Sequence, residues 1–207
     1  MNQTPTFLAL LLGTSLALTA AAGSQNFDFK DPKGVNNAVF RLDAPLESIN
    51  GTANGVSGTI TFDPENPATL QGKIVIAAAS LHVPNPMMKE HLHGDQWMDT
   101  KKHAEITFES TKVSNVKTAG TESTADVTGK FTLKAVTREI TVPVKLTYLK
   151  DKLGARSNGQ MQGDLLVVRS KFTIKRNDYG INPGAPAANV ADEIELTLSL
   201  AGAAPKS

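Results

Sequence analysis

Ile140-Thr141-Val142-Pro143-Val144-Lys145-Leu146-Thr147-Tyr148 decides how this chain folds. Apolar side chains take every even position, which is the two-residue period of a strand with one buried face and one wet face. The same beat recurs on both sides. Upstream, Val127, Gly129, Phe131 and Leu133 alternate with Thr128, Lys130 and Thr132, and Ile106 and Phe108 with Thr107 and Glu109. Ile74, Ile76 and Ala78 share one face, and Val56, Gly58, Ile60 and Phe62 oppose Ser57, Thr59 and Thr61. Downstream, Phe172 and Ile174 alternate with Lys171, Thr173 and Lys175, and Ile194, Leu196, Leu198 and Leu200 with Glu193, Glu195, Thr197 and Ser199. With Val39–Leu42, which carries Phe40, the pattern predicts about eight strands.

Turn signals separate the runs: Asn50-Gly51, Asn54-Gly55, Asp63-Pro64 with Asn66-Pro67, Lys150–Gly154, and Asn182-Pro183-Gly184. Asn50-Gly51-Thr52 matches a glycosylation sequon but reads as a hairpin turn. One segment breaks the rhythm. Asn85-Pro86 reads as a helix N-cap with proline at the first helical position, so Met87, Met88, His91 and Leu92 fall on a short helix ending near Gly94, with a further turn at Trp97-Met98. One-sided strands with so little helix bury their apolar faces sheet on sheet or by closing into a barrel. An eight-stranded barrel leaves room for one elongated ligand. A filled sandwich meets the same periodicity.

Composition narrows the function. The chain of 207 residues has 21 Lys+Arg against 20 Asp+Glu, a net charge of +1 that provides no basic face for nucleic acid. It has no cysteine, which removes disulfides, thiol catalysis and Cys-ligated zinc. Residues 1–22 carry no charged side chain, and the apolar run Phe7–Leu18 precedes Ala20-Ala21-Ala22, a small-residue cleavage site. This predicts a signal peptide over 1–22 and an exported, periplasmic domain over 23–207. The run is shorter than the roughly 20 residues of a membrane span.

Four stretches carry a resemblance. The first is Gly51–Pro64, ending in Thr59-Ile60-Thr61-Phe62-Asp63-Pro64. The second is Glu90-His91-Leu92, followed by Trp97-Met98-Asp99 and Ile106-Thr107-Phe108-Glu109-Ser110. The third is Gly129–Val144, and the fourth is Arg176-Asn177-Asp178-Tyr179-Gly180-Ile181. In order and spacing they resemble the YceI-like family of exported, lipocalin-like, polyisoprenoid-binding proteins. The sequence departs from the family pattern at Val35-Asn36-Asn37, where a His-Ser pair is usual, and at Ala53, where an aromatic is usual. His103-Ala104 stands in place of Tyr-Pro, Met88-Lys89 in place of Arg-Asp, and Ala135 in place of a glycine.

The resemblance implies an all-β fold, an eight-stranded antiparallel lipocalin-like barrel with a short helical segment near residues 85–98. It implies non-catalytic binding, storage or transport of an isoprenoid or fatty-chain lipid, with no cofactor, metal or catalytic residue. Each buried methylene contributes about 0.8 kcal/mol, so a long chain needs only an apolar interior. Expected ligand contacts are the inward side chains Phe40, Ile60, Phe62, Ile76, Phe108 and Phe131, and beyond them Val142, Val144, Phe172, Ile174 and Leu196. Met87, Met88, Leu92 and Trp97 are expected to cap one mouth, adaptable methionines suiting varied apolar ligands. His91 lies on the family motif and is expected to fix the helix against the barrel. Arg176 shares the parity of Phe172 and Ile174; turned inward it needs a partner, with Glu90 or a ligand phosphate the candidates. The resemblance leaves room for a homodimer and for transient membrane contact during lipid exchange.

Two rivals stand beside this reading. One is a metal-dependent enzyme using the His91–His103 segment, although His91 and His93 point to opposite sides of a helix and no H-E-x-x-H is present. The other is a packed stress-response barrel without ligand. Gly-x-Ser-x-Gly is absent.

Overall fold

The computed structural model describes residues 23–206; the expected signal peptide, residues 1–22, lies outside them. Ten strands follow in chain order: β1 (Gln25–Asp28), β2 (Asn37–Asp43), β3 (Ser48–Ala53), β4 (Val56–Phe62), β5 (Gln71–Ala77), β6 (Glu105–Ala119), β7 (Glu122–Leu133), β8 (Val136–Leu149), β9 (Gly163–Lys175) and β10 (Glu193–Pro205). Helix α1 (Pro86–His93) joins β5 to β6, and the single turn α2 (Leu153–Arg156) joins β8 to β9. Every pairing is antiparallel. β1 and β4 to β10 form a closed ring of eight strands, with β1 pairing to β4 on one side and β10 on the other. The hairpin β2–β3 hangs from β10 as an extension. The fold is therefore the expected lipocalin-like barrel, with two strands added and few helices.

The ring differs in detail from the strands read in the sequence. Val39–Leu42 is β2, which belongs to the extension, and its place in the ring is taken by β1. β1 is four residues with one apolar side chain, Phe27, too short to alternate visibly. Asn50-Gly51 is not a turn; it lies inside β3. Gly51 is there because a Cβ would come within 2.1 Å of the Phe40 ring and 2.6 Å of the His82 carbonyl. Close backbone approach, not a bend, fixes that glycine. β6 continues past Glu109 to Ala119, since irregularities at Ser110/Lys112 and Ser114/Lys117 shift the register and hide the period.

Closure rests on little backbone pairing. β1 meets β10 at the single register pair Asp28↔Ala203. Side chains complete the seam. Asn36, 2% exposed, donates from Nδ2 to the carbonyls of Phe29 (3.0 Å) and Ala201 (3.1 Å) and accepts from the Ala201 amide (2.8 Å). Its amide thus stands in for a strand where β1 departs from β10. Two apolar clusters sit at the ends. Leu81, Val83, Met98, Tyr179, Ile181 and Val190 pack under α1; Phe27, Phe29, Phe62, Leu70, Leu146 and Leu166 form the opposite floor.

Candidate functional site

Between those clusters the barrel is hollow. A cavity of about 180 Å³ is lined by inward residues of β2 to β10, by Leu92, Trp97 and Met98 from the α1 segment, and by Arg176 and Ile181 beyond β9. Cross-strand register explains why space is left there. One row crosses five strands as Val144, Ser170, Leu198, Ala38 and Ala53. The next row toward α1 carries Phe172, Leu196, Phe40 and Gly51. Small side chains beside a row with two phenylalanines cannot fill the bore that the aromatics span. Gly72 and Ser110 extend the small-residue lining onto β5 and β6.

The lining is almost wholly apolar, and the hydroxyls of its two serines are occupied. Ser110 Oγ accepts from the Gly72 amide (2.8 Å) and donates to the Gly72 carbonyl (3.2 Å). Ser170 Oγ donates to the Pro143 carbonyl (2.7 Å). Arg176 is the charged side chain in the lining, and it is 2% exposed.

Of the expected contacts, the structure brings Phe40, Ile60, Ile76, Leu92, Trp97 and Phe108 to the cavity, together with Phe131, Val142, Val144, Phe172, Ile174, Arg176 and Leu196. Phe62, Met87, Met88 and His91 lie elsewhere. Phe62 is below, in the floor, edge-on to Phe27 with ring centroids 6.4 Å apart. Met87 and Met88 are 67% and 37% exposed, because α1 buries no residue fully and packs inward through Leu92. α1 begins as expected: Asn85 Oδ1 accepts from the Met88 amide at 3.1 Å and Pro86 occupies the first turn.

His91 does not anchor the helix; it is exposed. His93 does so. Its Nε2 lies 2.9 Å from the Leu81 carbonyl and its Nδ1 3.2 Å from Thr100 Oγ1. A carbonyl only accepts, so Nε2 carries a proton. The two-residue offset puts His93 on the barrel side when His91 faces water. Nor does Glu90 pair with Arg176: Glu90 is exposed, and Arg176 is held by main-chain carbonyls instead. Among the described residues, no three His, Asp or Glu side chains gather as a metal-holding cluster. His93→Ala should lower unfolding stability by about 1–2 kcal/mol, the worth of two partly buried hydrogen bonds, and speed hydrogen exchange at the α1 amides. A urea titration with amide exchange by mass spectrometry reads both.

Sequence reasoning missed the small residues Ala38, Ala53, Gly72, Ser110 and Ser170, which the structure puts around the void. Their only signal was inward parity without bulk.

Comparison with known proteins gives the same outline. A family model described as "YceI-like domain" matches residues 26–201. A UPF0312 protein of Pseudomonas paraeruginosa is 32% identical over 200 residues, covering 95% of this chain and 96% of that one. A UPF0312 protein of Yersinia pestis is 32% identical over 197 residues, covering 93% and 95%. Among solved structures, BcnA of Burkholderia cenocepacia superposes with a TM-score of 0.64 at 23% identity, covering 80% of this chain and 95% of BcnA. A domain of Saccharophagus degradans, described as polyisoprenoid binding and implicated in plant cell wall breakdown, gives 0.62 at 12% identity, covering 89% and 99%. At these identities the solved structures speak for the fold alone.

Proposed function

This chain belongs to the YceI-like domain family, and from that membership we propose that it binds, stores or carries a long-chain amphiphile, polyisoprenoid or fatty-acid-like, without catalysing a reaction on it. The observation that carries this reading is the apolar void running through the barrel from Trp97 and Leu92 to Ile60 and Leu146. Val168 and Ile174, both lining it, are six residues apart on β9, about 20 Å of extended chain. An apolar bore of that length gains affinity from every methylene it takes from water. The engaged serine hydroxyls support a binding rather than a catalytic role. The matching polyisoprenoid-binding domain of Saccharophagus degradans gives the isoprenoid option its support.

A periplasmic carrier must also load and unload. The α1 face offers Met87 and Met88 to the outside while Leu92 and Trp97 close the bore from the same segment. Transient contact of that face with a membrane would let the lid open where lipid is available. Homodimer formation is not needed for this route.

Purification without detergent, solvent extraction and mass spectrometry should recover a chain lipid in near-stoichiometric amount. Delipidated protein should then change its Trp97 fluorescence on addition of isoprenoid alcohols or fatty acids. Protein that repeatedly yields no lipid and whose Trp97 emission ignores both classes would overturn the proposal.

A further inference from the structure

The lining carries no charge along any strand until β9 ends, and there its chemistry changes. Arg176 follows Phe172 and Ile174 on the inward side and lines the cavity at 2% exposure. Its Nε donates to the Ala191 carbonyl (3.3 Å), and its Nη1 to the carbonyls of Ile181 (2.5 Å) and Asn182. That uses the Nε hydrogen and both Nη1 hydrogens. The two on Nη2 meet no acceptor among the described residues. Nor does any carboxylate of the described residues come within ion-pair distance of this guanidinium. Carbonyl dipoles ease a buried cation but do not neutralise it, and a buried charge without a counter-charge is costly.

Trp97, half-buried, lines the cavity at the same end. The two segments are tied together: the Asn182 amide donates to the Gln96 carbonyl at 2.8 Å, and the Asn182 carbonyl holds Arg176 Nη1. No fully buried side-chain nitrogen or oxygen of the described residues lacks a partner, so Nη2 of the 2%-exposed Arg176 borders open space.

We infer that Arg176 Nη2 receives the anionic oxygen of a single-headed amphiphile, a fatty carboxylate in chemical class, whose tail runs from the α1 end toward Ile60 and Leu146. The inference rests on the proposed lipid-binding role and adds the head group. A diphosphate suits the site poorly. With Nη1 and Nε turned to main-chain carbonyls, the site offers the two hydrogens of Nη2 alone, enough for one carboxylate but not for the several anionic oxygens of a diphosphate. The remaining phosphate oxygens would find one free hydroxyl at most, that of Thr107, since Ser110 and Ser170 are occupied.

Two probes of equal chain length test this: hexadecanoate and its methyl ester, followed by Trp97 fluorescence at pH 8. Wild-type protein should bind hexadecanoate about tenfold or more tightly than the ester, as a hydrogen bond to a charged group predicts. The carboxyl carbon of 13C-labelled hexadecanoate should titrate, when bound, below the usual carboxylate range, because a facing guanidinium favours the charged form. Arg176→Met should remove the preference while keeping ester binding. Arg176 also fastens three carbonyls, so if that variant does not fold, the wild-type 13C titration decides alone. Equal binding of both probes, with a carboxyl titrating at or above its usual range, overturns the head-group assignment and leaves the lipid-binding role standing. Binding of neither probe overturns both.

Discussion

Val144→Phe and Ala38→Phe, made separately, are expected to weaken binding of a long-chain probe more than ~100-fold and yet leave the protein as stable as its parent. Both positions lie in the row Val144, Ser170, Leu198, Ala38 and Ala53, short except at Leu198, that crosses β8, β9, β10, β2 and β3. A ring placed there occupies the middle of the bore and cuts it in two. Excluding four methylenes from burial forfeits about 3 kcal/mol at ~0.8 kcal/mol each, which is more than two decades in affinity. Stability provides the second reading. In a filled interior the same enlargement overpacks and costs about 1–3 kcal/mol. In a hollow one the ring gains contacts that the void denies, and the urea midpoint holds or rises. Tight probe binding by both variants, or a loss of stability of overpacking size with binding intact, would mean that the bore is not where the ligand lies.

Much of the fold was visible in the chain because the strands that matter most alternate strictly. β8 from Ile140 to Tyr148 and β10 from Glu193 to Leu200 each present one uninterrupted apolar face, and both sit in the closed ring. The α1 start was legible for a local reason: Asn85 and Pro86 do their work within one turn. What escaped was non-local. β1 exists because β4 and β10 leave a gap for it, and Asn36 zips that gap with hydrogen bonds to residues far along the chain. Gly51 looked like a turn because its reason, the Phe40 ring and the His82 carbonyl, lies on other segments.

The site divides in the same way. Inward parity identified the phenylalanines and Arg176, since parity is a property of one strand. A cavity is a property of several strands in register. Ala53 stood out only as a departure from an expected aromatic; its meaning as part of the bore needed its neighbour Ala38 across the β2–β3 pair. The choice between His91 and His93 likewise depended on which face of α1 meets Leu81 and Thr100.

Asp164→Asn should cost about 2–3 kcal/mol at pH 7, and the gap between variant and wild type should close as the solution is acidified. Asp164 is 1% exposed at the floor end of the barrel. It accepts hydrogen bonds from the Tyr148 hydroxyl (2.7 Å), the Gln25 side-chain amide (3.1 Å) and the Asp151 backbone amide (2.8 Å), with the Lys206 ammonium at 3.2 Å. Burial alone would raise its pKa, but these donors together outweigh burial and hold the carboxyl at about 2 against an ordinary 3.8. The folded value is the lower one, so the carboxylate stabilises the fold at any pH above the unfolded value. That contribution drains away as pH falls from about 4 through about 2. At ~1.4 kcal/mol per pKa unit it amounts to about 2 kcal/mol. Tyr148 moves the other way: burial first, and then its bond to Asp164, push the phenol up to about 12, so stability falls as pH rises from 10 toward 12. The network matters because Gln25 belongs to β1 and Asp164 to β9, so it spans the closing seam that the backbone pairs only at Asp28↔Ala203. Urea unfolding of wild type and Asp164→Asn at pH 7, 4 and 2 separates this group from the other carboxylates, which titrate alike in both proteins. A gap that stays constant to pH 2 would show that the seam does not draw on this charge.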